Sequence, residues 1–348
     1  MAYDGGKAFA TYLAQRRPQI EDFLARFTPR PEDSTVHAAA DLARYLYEPL
    51  ARFTASGGKR TRPVLCLLGA QAAGADPICA LSTAAAVEYF QSAALIHDDI
   101  ADKSELRRGE PCLHVTEGTG VAINVGDLAL VTMSADLLAD SSLENDTCLR
   151  VLCELAYMQQ RTLEGQALDL GWVRDGRWDV TVDDYLYMAS HKTAYYSAAT
   201  PLACGAICAG ASDDLVEALF SFGLDAGLAF QLQDDLLNLV GDPADQGKDY
   251  RSDITEGKRT LLAVWALTHL EEDQRAELQG LLESGTTDEV ELARAVELIE
   301  ASGAVDYVRS YAHELADRAK AHLDGIEIDA KASTVLESMA DFFVERLG

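Results

Sequence analysis

Three carboxylates close an apolar run in the stretch Leu95-Ile96-His97-Asp98-Asp99-Ile100-Ala101-Asp102. Burial makes unpaired charge costly, so cations must meet them there. On a helix, Asp98 and Asp102 project from one face about one turn (~5.4 Å) apart, near enough for both to hold a hard divalent cation. A second acidic pair, Asp234-Asp235, follows another apolar run that begins at Phe222. Cations are spread among Ser56-Gly57-Gly58-Lys59-Arg60-Thr61-Arg62-Pro63, Arg107-Arg108-Gly109, Lys192-Thr193, Gly247-Lys248 and Gly257-Lys258-Arg259-Thr260. Two carboxylate clusters and several cations in an apolar setting are suited to holding a polyphosphate head through divalent metal while an apolar tail occupies the interior. Oxygen ligands, the lack of a His four residues from His97 and the absence of EF-hand spacing favour magnesium over zinc or calcium. Bound metal would make a diphosphate a leaving group, and helix dipoles, amide oxygens and hydroxyls would have to stabilise the cation left behind. Each motif has a plain alternative: a glycine turn with surface basics, a snorkelling Lys192, a solvated helix end at Asp98 and Asp102. Their joint occurrence argues for a site.

Long helices must carry these groups. Apolar residues recur at helical spacing over 8–27, 34–53, 64–75, 81–100, 120–139, 149–169, 181–209 and 222–240, with Pro29 and Pro31 separating the first two. Strand patterns are scarce, so the chain is expected to be all-α. The polar stretch 103–114 reads as a loop. The roughly twenty residues from Gly241 to Thr260 read as a mobile lid, because loops that long in a compact domain are usually functional or disordered. From Leu261 onward the pattern is amphipathic helix without convergent chemistry, expected to buttress the core. No linker or repeat divides the 348 residues, so one domain is expected, with its motifs in about 40–265 and buttressing helices in about 266–348. Lys+Arg 29 against Asp+Glu 57 gives a net charge of -28, which argues against nucleic acid as partner. Seven cysteines without CxxC spacing read as free thiols in a reducing compartment, most simply the cytoplasm. No uninterrupted apolar stretch is long enough to span a bilayer, so no stable membrane insertion is expected.

Taken in order, the motifs Gly57-Gly58-Lys59-Arg60-Thr61-Arg62-Pro63, Asp98-Asp99-Ile100-Ala101-Asp102, Arg107-Arg108-Gly109, Gly165-Gln166, Lys192-Thr193, Phe230-Gln231-Leu232-Gln233-Asp234-Asp235, Gly247-Lys248 and Gly257-Lys258-Arg259-Thr260 resemble those of the trans-isoprenyl diphosphate synthases, or polyprenyl synthetases. The resemblance implies a bundle of mostly antiparallel helices around a central cavity, usually a homodimer. It implies a condensation of isopentenyl diphosphate with an allylic diphosphate, and about three magnesium ions per site. By the same resemblance, Asp98, Asp102 and Asp234 would bind magnesium bridged to the allylic diphosphate, with Asp99 and Asp235 in support. Arg107, Lys192 and Lys258 would contact that diphosphate; Lys59, Arg62 and Arg108 would hold isopentenyl diphosphate. Thr193 and Gln231 would lie near the allylic carbocation, and Lys248 would help close the site.

Two positions depart from the family pattern. Many members carry a His where this chain has Gln91, which can donate a hydrogen bond to isopentenyl diphosphate but cannot become cationic. The second acidic motif usually ends in Asp, whereas this chain has Asn238, expected to be a weaker, neutral metal ligand. The small Ala93 and Ala94 lie roughly 6 to 7.5 Å along the helix from Asp98 and leave room for a growing chain, with Phe90 about 12 Å away as its floor. The expected product is therefore of geranylgeranyl length or longer. Competing readings are a farnesyl diphosphate synthase, a noncatalytic subunit of a heteromeric synthase, a terpene cyclase and a helical phosphohydrolase.

Overall fold

A computed structural model describes residues 5–27, 29–31, 38–241 and 251–345. Helix α1 (Lys7–Phe27) precedes α2, in which Ala38–Leu42 continues through the π-helical turn Ala43–Tyr47 into Glu48–Ala55. Helices α3 (Thr61–Ala72), α4 (Leu81–Ala101), α5 (Thr119–Ala139) and α6 (Asn145–Arg174) follow. Helix α7 has three continuous parts, Val182–Ala189, the π-helical Ser190–Ala199 and Thr200–Cys208. Then come α8 (Asp213–Val240), the short α9 (Ser252–Thr255) and α10 (Leu261–His269). The chain closes with α11 (Glu272–Ser284), α12 (Glu289–Ala301), α13 (Ala304–Ala321) and α14 (Ala330–Glu345).

Local chemistry sets the helix starts. Thr181 and Asp184 form a reciprocal capping box before α7, while Ser212 and Thr260 cap α8 and α10 through their hydroxyls. Helix α4 packs along α5, α3 against the last part of α7, and α8 between the π-helical part of α7 and α13. The core runs through all of them, as the all-α expectation required.

Three details differ from that expectation. The stretch after α4 is not all loop: Leu106–Arg107 and Glu110–Pro111 pair as a two-residue antiparallel hairpin. Its turn residues Arg108 and Gly109 have φ of 57° and 79°, the left-handed geometry that tight hairpins need, and Arg108 gives no sequence warning of it. In the expected lid, the described residues 251–260 form α9 and an ordered turn rather than open loop. Finally, Pro77–Ala101, Thr119–Ala139 and Asp213–Val240 are long and apolar enough to cross a membrane by length and composition alone. Each run is interrupted by carboxylates, among them Glu88, Asp127 and Asp225, which breaks the continuous apolar stretch looked for in the sequence without lowering the mean hydropathy enough to exclude a span. Neighbouring helices bury 67% of the apolar window in the first and third, but only 39% in α5.

Candidate active site

Members of both acidic motifs and of the cation-bearing motifs line a cavity of about 700 Å³, among them Asp98 from α4, Lys192 and Thr193 from α7, and Gln231 and Asp234 from α8; Asp99 and Asp102 do not line it. Lys59, Arg62, Gln91, Arg107, Arg108 and Lys258 also line it. Lys248 falls outside the described residues.

The cations demanded by the first acidic cluster are supplied by the chain itself. Lys192 Nζ donates to Asp169 Oδ2 at 2.5 Å and lies 3.8 Å from Asp98 Oδ1. Lys258 Nζ donates to Asp102 Oδ2 at 2.9 Å and pairs with Glu256 at 2.6 Å. Gln166 Nε2 donates to Asp98 Oδ1 at 3.0 Å. Burial opposes ionisation of Asp98, yet Lys192, Lys258 and Arg107 together hold its carboxyl below the usual range. Burial likewise opposes the Lys192 ammonium, but Asp169 and Asp98 outweigh it and raise its pKa. Burial pushes Glu256 up to about 7 against the pull of Lys258.

Two helix features place Lys192. It lies in the π-helical part of α7, a distortion often found at functional sites. Opposite it stands Gly165, where a Cβ would sit 2.2 Å from the Lys192 backbone nitrogen, so only glycine lets α6 come this close.

Adjacent carboxylates do different work because successive helical residues point about 100° apart. Asp99 was expected to support the metal. It is instead buried and takes the Arg107 guanidinium, whose Nε donates to its Oδ1 at 2.9 Å. Arg107 is therefore held by Asp99 with Asp98 at 3.9 Å, while Arg108 turns the other way across the hairpin to the Gly57 carbonyl. Asp235, the other expected supporter, is also buried; it accepts from Tyr185 Oη at 2.6 Å and Gln231 Nε2 at 2.7 Å. Burial, reinforced by Asp253, pushes its carboxyl up to about 8. Asn238 was expected to be a ligand. Its carboxamide serves the segment after α8 at both ends: Nδ2 donates to Ser252 Oγ at 3.1 Å and Oδ1 accepts from the Asp253 amide at 3.3 Å.

The basic turn before α3 also divides. Arg60, in a left-handed conformation, is buried in an ion pair with Glu88. Arg62 stays on the cavity side, donating to Tyr196 Oη (3.0 Å) and Ser197 Oγ (2.8 Å), with its guanidinium 4.4 Å from the Tyr196 ring centre. Gln91 bridges the two sets: its oxygen accepts from Arg62 at 2.9 Å and its NH₂ donates to Glu88 at 3.3 Å. The cavity does not extend along α4 from Asp98 to the small residues expected to leave room for a growing chain. Phe90 packs edge-to-face on Tyr196 (5.7 Å), and Phe90, Ala93 and Ala94 are absent from the cavity lining. Phe342 and Phe343 of α14 do line it, packed on Phe230 at 4.9 Å for Phe343, so the last helix helps to build the site as well as buttress it.

Asp169, Tyr185, Tyr196, Glu256 and the two phenylalanines were missed in the sequence. Only Asp169 carried a signal, a carboxylate three residues from Gln166 in an otherwise apolar helix. Among the described residues, no three His, Cys, Asp or Glu side chains converge into a closed metal cage. The oxygen donors Asp98 and Asp234 still fit magnesium, which is usually held by one or two carboxylates with waters and substrate phosphates completing its shell.

Residues 43–299 match the polyprenyl synthetase family, reaching further towards the C-terminus than the motifs do. The short chain isoprenyl diphosphate synthase of Methanothermobacter thermautotrophicus is 36% identical over 329 residues, 94% of this chain and 99% of that protein. The geranylfarnesyl diphosphate synthase of Natronomonas pharaonis is 35% identical over 351 residues, 96% of each chain. A crystal structure of geranylgeranyl pyrophosphate synthase from Corynebacterium glutamicum, complexed with isoprenyl diphosphate and magnesium, superposes with a TM-score of 0.84 at 32% identity, covering 99% of this chain and 100% of that one. The chain belongs to the polyprenyl synthetase family. It is a prenyltransferase, an isoprenyl diphosphate synthase.

Proposed function

We propose that this protein uses magnesium to join isopentenyl diphosphate to an allylic diphosphate in trans geometry, giving products of geranylgeranyl length or longer. The observation that carries the reading is one cavity shared by acidic groups from two helices, Asp98 and Asp234, and by two separate sets of cations. Asp98, Asp102 and Asp234 would hold the metal, which supplies the positive charge that makes the allylic diphosphate a leaving group. Lys192 and Lys258 would exchange their carboxylate partners for diphosphate oxygens, with Arg107 beside them. Lys59, Arg62 and Arg108 would hold isopentenyl diphosphate, with Gln91 steadying Arg62. Thr193 and Gln231 would present oxygen dipoles to the developing cation, in a pocket partly walled by Phe230, Phe342 and Phe343.

The length assignment is supported by relatives named as geranylgeranyl and geranylfarnesyl synthases. Chromatography of products from labelled isopentenyl diphosphate, magnesium and a series of allylic primers tests both parts. Mainly farnesyl diphosphate would contradict the length; no elongation by the isolated chain would contradict the reaction.

A homodimer is part of the same proposal. It is supported by the apolar face that α5 and α6 leave exposed, where Val131, Leu138, Leu149 and Leu163 are 66%, 70%, 62% and 67% accessible. Sedimentation at micromolar concentration should give twice the chain mass. The seven unpaired cysteines support a reducing, cytoplasmic setting.

A further inference from the structure

Within the cavity wall runs a chain of hydrogen bonds that metal binding does not require. Tyr185 Oη donates to Asp235 Oδ2 (2.6 Å), Gln231 Nε2 donates to Asp235 Oδ1 (2.7 Å), and Thr193 Oγ1 donates to Gln231 Oε1 (2.7 Å). Tyr185 and Asp235 are buried. The packing that allows the chain lies one turn earlier in α8. A Cβ on Gly227 would sit 2.9 Å from Ala194 Cα, so α8 and α7 meet closely and Thr193 reaches Gln231.

A carboxamide has a donor end and an acceptor end. Both Asp235 oxygens accept here, Oδ2 from Tyr185 and Oδ1 from the NH₂ of Gln231, which leaves the Gln231 oxygen on the Thr193 side. Tyr185 occupies the second oxygen of Asp235, which keeps this buried acceptor satisfied and fixed. We propose that Tyr185 and Asp235 are positioning residues that set the polarity of Gln231, so that its oxygen and that of Thr193 face the positive charge formed in the cavity. This inference rests on the prenyltransferase reading above. Reversed, the amide would present N–H groups to a forming cation, and the same dipole would oppose the reaction.

The test uses Tyr185→Phe and Asp235→Asn, the second of which can offer an NH₂ to Gln231 and so permit reversal. Two allylic diphosphate analogues serve as probes with magnesium present: one carrying an ammonium nitrogen where the cation would form, the other a non-ionising thiolodiphosphate that is neutral at that position. In Asp235→Asn the ammonium analogue should bind about tenfold more weakly and the thiolodiphosphate within about twofold of wild type. Its kcat should fall at least about tenfold with both KM values and the magnesium titration unchanged. Tyr185→Phe should move the same quantities in the same direction by about threefold, and decides the matter if Asp235→Asn does not fold. Equal weakening of both analogues, a rate restored by extra magnesium, or unchanged affinities would overturn the inference. A wild-type protein that does not elongate isopentenyl diphosphate would overturn the underlying reading instead.

Discussion

Gly165→Ala is the sharpest probe of how the scaffold sets the site. The added methyl would lie 2.2 Å from the Lys192 nitrogen and 2.6 Å from its Cα. Restoring ordinary contact near ~3.5 Å requires α6 and α7 to part by about 1 Å. Overpacking of this kind costs about 1–3 kcal/mol, and the better helix propensity of alanine returns about 1 kcal/mol, so the net loss of stability should stay within about 2 kcal/mol. The protein should fold. Lys192, however, would move relative to Asp169 and Asp98, and a displacement of about 1 Å at a reacting centre can cost about a hundredfold in rate. Steady-state incorporation of labelled isopentenyl diphosphate measures the rate, and urea unfolding the stability. Gly171→Ala is the control: the same helix, but nothing within 4 Å of the added methyl. It should leave the rate unchanged. A folded Gly165→Ala protein with kcat within about threefold of wild type would refute the reasoning.

Other outcomes follow from the same geometry. Asn238→Asp should leave the magnesium requirement unchanged, because this side chain faces Ser252 and Asp253; a clearly lower requirement in a magnesium titration would restore it as a ligand. Glu88→Gln leaves the buried Arg60 charge without its partner and should lower the unfolding free energy by about 3 kcal/mol in denaturant titrations. Burial raises the Asp136 carboxyl from 3.8 to about 6, so between those values the folded protein binds more protons than the unfolded chain. Stability from this group is complete below the ordinary carboxyl range and is lost as pH rises through about 6. Asp136→Asn should remove that decline and stabilise the protein at pH 8 by about 1 kcal/mol, discounted for partial exposure, as thermal unfolding at pH 5 and pH 8 would show.

Periodicity exposed the long helices because each buries a continuous apolar face, and the motif spacing exposed Asp98, Asp234 and Lys192 as members of one cavity. It could not expose direction. Asp98 and Asp99 belong to one motif, yet one faces the cavity and the other the Arg107 side of α4, and only the neighbouring elements decide which. The π-helical part of α7 leaves the apolar pattern intact while turning Lys192, Thr193 and Tyr196 onto the cavity. Phe342 and Phe343 were beyond reach for another reason: their place in the wall comes from α14 folding back against residues more than a hundred positions earlier, such as Phe230.

In the proposed reaction one diphosphate would be held through metal by the acidic groups while a second would be held by Lys59, Arg62 and Arg108 directly. Calorimetric titration with a non-ionising allylic thiolodiphosphate and with isopentenyl diphosphate, each in magnesium and in EDTA, tests it most directly. The allylic analogue should bind only with magnesium and be lost in Asp98→Asn and Asp234→Asn, while isopentenyl diphosphate binding should persist in EDTA. Equal binding of the allylic analogue in magnesium and in EDTA would contradict the claim.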